Sequence, residues 1–294
     1  MKHHFPVYDI CQLSAAQQKD LHTSKLEHHM AAHKMLNCPH KNNFYQIVMC
    51  TRGAGTVDVD FQNFSIGPNQ IFFMVPGQVY QLHFEEETDG FIINFSIPFF
   101  QLFLLKPDYL EQFPYFSGVT RNALVNLPDS IQPDIRQIFE KITLEGATGN
   151  LMGLDMVKVL MVQFFIMISR LEVDKPSVEI ISYNHTVLRK FNQLIECNLG
   201  KLKLPREYAE LLFITPSHLN ALCNKMLGKS TGEVIRDRII LEAKRLLMDM
   251  ELSVAQISFM LDFSDNAYFS KFFRKHTGIA PQEFRYSHMH AESA

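Results

Sequence analysis

Ser253-Val254-Ala255-Gln256-Ile257-Ser258-Phe259-Met260-Leu261-Asp262-Phe263-Ser264-Asp265-Asn266-Ala267-Tyr268-Phe269-Ser270-Lys271-Phe272-Phe273-Arg274-Lys275-His276-Thr277-Gly278 is the stretch that decides the fold. Ser253 and Gln256 stand at the two ends of a capping box, so a helix starts there. It ends at Leu261-Asp262-Phe263. Ser264 is the expected cap of the next helix, Asp265 to His276, and Gly278 stops it. The same signals occur upstream. Leu204 to Leu212 is a short helix with Pro205 in its first turn, and Phe213-Ile214 is a turn. Thr215 then caps a helix with Pro216 at its first position, running Ser217 to Met226 and ending near Gly228. Ser230-Thr231-Gly232-Glu233 is a further capping box opening a long helix, Val234 to Met250. The pattern is therefore helix, short turn, helix, written twice and joined by one long helix.

Arg238-Ile239-Ile240-Leu241-Glu242-Ala243-Lys244-Arg245-Leu246-Leu247 carries a resemblance, together with Ser253 to Ile257, Phe263-Ser264-Asp265, Tyr268-Phe269-Ser270, Phe272 to Lys275, Gly278, Pro281 and Phe284-Arg285. In these residues the segment 184–286 resembles the DNA-binding domain of the AraC/XylS family. The likeness implies an all-α domain with two helix-turn-helix units. It departs from the family at Asp262, where glycine is usual, and at Leu204 and Ala280, which replace polar helix caps. Aspartate tolerates left-handed backbone better than most residues, so the turn survives at some cost.

The second helix of such a unit enters the major groove, and its early exposed positions reach base edges. Helical spacing leaves Ser217, His218, Asn220, Ala221, Asn224 and Lys225 exposed on the first reader and turns Leu219, Leu222 and Cys223 inward. On the second it exposes Asn266, Ala267, Ser270, Lys271 and Arg274, with Tyr268, Phe269, Phe272 and Phe273 wholly or partly internal. The resemblance implies base contacts from Ser217, Asn220, Ala221, Asn266, Ala267, Ser270 and Lys271. Asparagine suits adenine, and lysine suits guanine or phosphate. His218, Lys225, Lys229 and Arg274 are the expected phosphate contacts, which position without specifying.

The first half reads differently. Phe44 to Cys50, Thr56 to Asp60, Gln70 to Val75, Val79 to Phe84 and Gly90 to Phe95 are short strands. Arg52-Gly53-Ala54-Gly55, Ile66-Gly67-Pro68-Asn69 and Pro76-Gly77 mark turns between them. An all-β sandwich or barrel is expected. Arg52-Gly53-x-Gly55, Gly67-Pro68 and Val75-Pro76-Gly77-x-x-Tyr80 resemble the cupin-like sensor barrel that precedes the DNA-binding domain in many family members. Helical periods follow over Ile131 to Leu144 and Leu151 to Leu171, with Leu154, Val157, Met161, Phe164, Phe165 and Ile168 on one stripe. By resemblance this is the helical pair through which members dimerise, and burial within one chain explains the stripe equally well. The expected fold class is α+β in two domains: a cupin-like β-barrel with its helical pair over 1–172, a linker over 173–183, and the DNA-binding domain over 184–294.

A metal-dependent cupin needs His-x-His with a following Glu ahead of the first barrel turn, and another His after the Pro-Gly. Residues 44–60 hold no such set, and Tyr80 stands in the later place. Tyrosine replaces imidazole poorly on a first-row divalent ion. No catalytic residue, metal or cofactor is therefore expected, and a cupin enzyme is the weakest reading. His28-His29-x3-His33 reads as a solvated helix or loop before a metal site. A closed cavity for one small ligand, lined by Tyr80, is expected instead; an empty barrel, with control by expression level or a protein partner, is the alternative.

Charge agrees with this division. Residues 184–294 carry 15 Lys and Arg against 12 Asp and Glu, whereas residues 1–183 carry 13 against 19, so the basic half is the reading half. Five cysteines with no C-x-x-C pair argue against a zinc knuckle or disulfide framework. No apolar stretch is long enough to span a bilayer, and no signal core follows Met1, so a cytoplasmic location without membrane contact is expected. The expected function is that of a sequence-specific transcription activator. Its expected partners are double-stranded promoter DNA, a small-molecule effector, RNA polymerase and a second copy of the chain.

Overall fold

Both faces of the central strands are apolar, and this sets the layering of the first half. A computed structural model describes residues 6–13, 20–85, 87–100, 109–116, 122–171 and 183–290. The described residues fall into two compact units, 6–171 and 183–290. The expected linker, 173–183, lies outside the described residues except for its last, Tyr183.

In the first unit ten strands form two five-stranded sheets. The strands are β1 (Val7–Tyr8), β2 (Leu21–Lys25), β3 (His40–Asn42), β4 (Tyr45–Arg52), β5 (Gly55–Val59), β6 (Gln62–Ile66), β7 (Gln70–Met74), β8 (Val79–Phe84), β9 (Asp89–Phe95) and β10 (Leu124–Asn126). One sheet has the order β1-β3-β8-β5-β6 and the other β10-β7-β4-β9-β2. Side chains alternate across a strand. From β4, Val48 and Cys50 pack with Phe72, Met74 and Ile92 of their own sheet against Val57, Val59, Tyr80 and Leu82 of the other. Their neighbours Ile47 and Met49 point outward, with Phe73, Phe91, Ile93 and Phe95, into a second core. Two helices complete that core: α2 (Gln132–Thr148) through Ile135, Ile138, Phe139 and Ile142, and α3 (Gly153–Leu171) through Val157, Met161, Phe164, Phe165 and Ile168. A strand buried on both faces reads as a continuous apolar run, which is why Ile47 to Cys50 does not alternate.

Two expectations change here. The α3 stripe is mostly interior to one chain, since all its members but Leu154 are buried; Leu154 is 44% exposed. The strand set is also larger. Strand β6 pairs with β5 across a two-residue turn, Asp60-Phe61, in which both residues have positive φ (49° and 68°). That is the backbone of a type I′ hairpin, normally signalled by Asn-Gly or Asp-Gly. Here Asp60 is held by Val79 N–H and the Gln78 amide, both at 3.2 Å, so the sequence shows no glycine to announce the turn.

The second unit is all helix: α4 (Tyr183–Cys197), α5 (Pro205–Leu211), α6 (Pro216–Leu227), α7 (Thr231–Leu247), α8 (Val254–Met260), α9 (Asn266–Thr277) and α10 (Pro281–His290). Thr215 caps α6, and the boxes Ser230/Glu233 and Ser253/Gln256 cap α7 and α8. Helix α9 is capped by Asp265, whose carboxylate accepts Tyr268 N–H at 2.7 Å, and not by Ser264. Aspartate is a strong cap and also complements the positive end of the helix dipole. Helix α7 ends three residues before Met250. The connector to α8 is gripped by Arg285, which donates to the carbonyls of Leu247 (2.8 Å), Asp249 (3.2 Å) and Leu252 (2.6 Å).

Candidate nucleic-acid interface and barrel interior

The two helix-turn-helix turns are built alike. In the first, Leu212, Phe213 and Ile214 N–H groups donate to the carbonyls of Tyr208, Glu210 and Ala209. In the second, Leu261, Asp262 and Phe263 donate to Ile257, Phe259 and Ser258 at the same offsets. Phe213 and Asp262 occupy the equivalent left-handed position, with φ of 55° and 54°. Asp262 therefore keeps the turn that its glycine-replacing position put in question. Phe213 was not singled out in the sequence; it is a fully exposed phenylalanine in left-handed backbone, an uncommon setting for a bulky residue.

The halves are joined by more than α7. Arg238 of α7 holds Glu196 of α4 with two bonds, 2.6 and 2.7 Å, and Glu242 with a third at 3.1 Å. Lys203, leading into α5, donates to the Asp262 carbonyl and lies 4.2 Å over the Phe263 ring. Gly200, at φ +80°, faces the Leu261 backbone so closely that an added Cβ meets its carbonyl at 2.9 Å. The approach to the first helix-turn-helix motif thus rests on the turn of the second motif.

On α6, Ser217, His218, Ala221, Asn224 and Lys225 are exposed, and Leu219, Leu222 and Cys223 are buried. Asn220 is half-buried. Its side-chain oxygen accepts Thr231 N–H at 3.0 Å and so caps α7. Two-point reading of adenine needs both the oxygen and the amine of an asparagine. Asn220 has its amine to offer a base, and its oxygen is engaged. Lys225 is exposed, while Lys229 pairs with Asp237 at 2.6 Å, which lessens its pull on phosphate. On α9, Asn266, Ala267, Lys271 and Arg274 are exposed and Ser270 half-buried. Phe269 and Phe273 are buried and Phe272 partly so, as the spacing requires. Tyr268 departs from it: the side chain is 55% exposed, leaning on Phe263, and joins the outward face beside Asn266 and Ala267.

Between the two sheets, in the interior expected of a barrel or sandwich, the polar groups gather in one layer. Gln46 and Asn94 are opposite each other on β4 and β9, and His22 is opposite Asn94 on β2. The Gln46 amine donates to the Asn94 oxygen at 2.8 Å. Gln46 Oε1, Asn94 Nδ2 and Asn42 Oδ1 are buried without a hydrogen-bond partner among the described residues. Tyr80 is buried in the same interior. Its hydroxyl accepts from Asn42 Nδ2, its ring is 4.4 Å from that of His40, and burial holds its phenol well above its usual pKa. The histidine segment is not solvated as expected: His29 is buried, only His28 of the adjacent pair faces solvent, and His22 joins His29 and His33. Among the described residues, no helix is long and apolar enough to cross a membrane.

Comparisons with known proteins divide the chain in the same way. A family described as the AraC-like ligand binding domain matches residues 29–154, and a helix-turn-helix domain family matches residues 208–287. The arabinose operon regulatory protein of Escherichia coli is 25% identical over 248 residues, covering 82% of this chain and 80% of that protein. The HTH-type transcriptional activator AarP of Providencia stuartii is 30% identical over 105 residues, 36% of this chain and 78% of AarP. Among solved structures, ToxT from Vibrio cholerae with bound unsaturated fatty acid aligns over 93% of this chain and 97% of its own, at 14% identity and a TM-score of 0.45.

Proposed function

The chain belongs to the AraC family of transcription regulators, and on that premise we propose that it activates promoters by laying α6 and α9 in successive major grooves, under control of a small polar effector in the barrel. The observation that carries this reading is the pair of matching turns held in one unit by α7 and by the Gly200–Leu261 contact. Ser217, Ala221, Asn266, Ala267, Ser270 and Lys271 are assigned to base edges, with Asn220 a single-point donor. His218, Lys225 and Arg274 are assigned to phosphates, and Lys229 only where it leaves Asp237. In this reading the protein is a regulator and not an enzyme, it works in the cytoplasm, and activation proceeds through contact with RNA polymerase.

Lys271→Ala tests the residue assignment. Discrimination at one base pair should fall by about 1–3 kcal/mol, with other positions unchanged, when binding is measured against a panel of single-base variants. Equal weakening on every sequence would move Lys271 to the phosphate class.

The effector is proposed to bind at the polar layer. Hydroxyl groups suit it, donating to Gln46 Oε1 and Asn42 Oδ1 and accepting from Asn94 Nδ2, because each buried orphan costs about 1–3 kcal/mol until it is paired. In this reading Tyr80, whose hydroxyl accepts from Asn42 Nδ2, orients Asn42 toward the effector.

A homodimer is proposed through the outer face of α3 and not through its buried stripe. Met156, Val159, Gln163, Ile166 and Arg170 recur at alternating spacings of three and four, the seam pattern of paired helices. Met156 and Val159 are half exposed and Ile166 is 38% exposed. Val159→Asp should weaken self-association by about tenfold or more in sedimentation equilibrium, since each copy loses roughly 1.5 kcal/mol of apolar burial and gains a charge to desolvate. Unchanged association would place the dimer contact elsewhere.

A further inference from the structure

Three histidines converge where β2 runs into α1 (Leu26–Ala32). His22 lies on β2 opposite Asn94, on the strand face turned to the barrel interior. His29 lies on α1 and His33 just past its end, four residues on. That spacing puts two imidazoles on one side of a helix, an arrangement that zinc sites use. Leu26 and Met30 of this helix pack into the interior cluster, and His29 and His33 lie beside His22. One ligating nitrogen from each ring falls within 4.8 Å of the other two. The rings are 4.7, 5.2 and 5.7 Å apart, centre to centre.

We propose that His22, His29 and His33 form a binding site for one divalent transition-metal ion of the zinc type. The separation of His22 Nε2 and His29 Nδ1 is 3.2 Å. Two nitrogens bound tetrahedrally at about 2.0–2.1 Å from one zinc ion stand about 3.3 Å apart. His29 is 1% exposed, and the Nδ1–Nε2 contact is a hydrogen bond between two imidazoles that a bound ion would replace. Burial and mutual repulsion lower the pKa of His22 to about 4 and of His29 to about 2, and burial lowers that of His33, so all three rings keep the neutral form that binds metal.

Three imidazoles and no thiolate make a donor set for zinc, copper or nickel, and not for magnesium or calcium. Three protein ligands leave the fourth tetrahedral position open, and the Asn94 side chain is on the strand residue next to His22. The ion ties α1 to β2. It differs from a catalytic cupin metal in its ligands, none of which lies in residues 44–60 or at the place of Tyr80. The inference concerns the first unit alone and does not depend on how the second reads DNA.

The test uses tag-free full-length protein stripped with a chelator, then titrated with Zn2+ and, separately, with Co2+. One saturable ion per chain is expected, with the intense visible absorption of tetrahedral Co2+ and a raised melting temperature with Zn2+. His33→Ala, at a partly exposed position, should weaken binding at least tenfold while the circular dichroism of the metal-free protein is unchanged. His28→Ala, at the exposed neighbour, should bind as the parent does. His22→Ala supplies a second ligand deletion from a different element. Absence of a saturable ion overturns the proposal, as does equal binding by the His28 and His33 variants.

Discussion

Phe269→Ala is expected to abolish promoter binding by melting the second reading unit. Phe269 is fully buried between α8 and α9, with its ring 5.2 Å from Phe263 and 6.0 Å from Phe273. Phe273 in turn meets Phe284 of α10 at 5.6 Å. Truncating a buried phenylalanine leaves a cavity and costs about 3–5 kcal/mol, a large part of the roughly 5–15 kcal/mol that holds an ordinary domain together. The loss should appear as a lower or split thermal transition, with DNA affinity falling to the nonspecific level. Tyr268→Ala, one residue earlier but exposed, should shift stability by less than about 0.5 kcal/mol. If both variants melted like the parent, the packing of α9 described above would be wrong.

Gly200→Ala is expected to have the second large effect, and Gly228→Ala is its internal control. Both glycines have left-handed backbone, φ +80° and +67°. Either substitution therefore costs about 1–2 kcal/mol in conformational energy. At Gly228 a Cβ meets nothing within 4 Å, whereas at Gly200 it meets Leu261 carbonyl C and O at 2.9 Å. Backbone cannot rotate away as a flexible side chain can. The end of α4 must separate from the turn of the second unit, and the Lys203–Asp262 bond and the contact with Phe263 go with it. Gly200→Ala should therefore lose clearly more stability and more DNA affinity than Gly228→Ala in parallel melts and titrations. Equal losses would mean that the Leu261 contact does not hold the two helix-turn-helix motifs in register.

The helix boundaries of the second unit were readable because each is set by one or two residues whose chemistry is local: Thr215, Ser230 with Glu233, Ser253 with Gln256, Gly228 and Gly278. What was not readable depends on partners far away in sequence. Asn220 looks like a reader of adenine until Thr231 N–H takes its oxygen. Tyr268 looks internal among aromatic neighbours, yet its ring leans outward. In the barrel, β4, β7 and β9 announced themselves through apolar runs. Strands β2 and β3 are short and polar, β6 lies at a sheet edge, and the turn before it uses Asp60 and Phe61 in place of a glycine. The most apolar stripe of α3 reads equally as dimer surface or as core and serves the chain's own core, while the seam through Val159 is less apolar and does not stand out in the sequence. The histidine site had half its signal in the His29-x3-His33 spacing. Its third member, His22, belongs to a strand and meets the others only through the fold.

The central claim is that two reading helices are held as one rigid head. Selection of binding sites from random duplex DNA by the purified full-length protein tests it most directly. The expected outcome is two short conserved blocks on one face of the duplex, their centres one helical turn apart, about 10–10.5 base pairs, at a single fixed spacing. Insertion of half a turn between the blocks should reduce affinity to that of one block alone. Blocks recovered at freely varying spacing, or a single block unaffected by the insertion, would contradict the account.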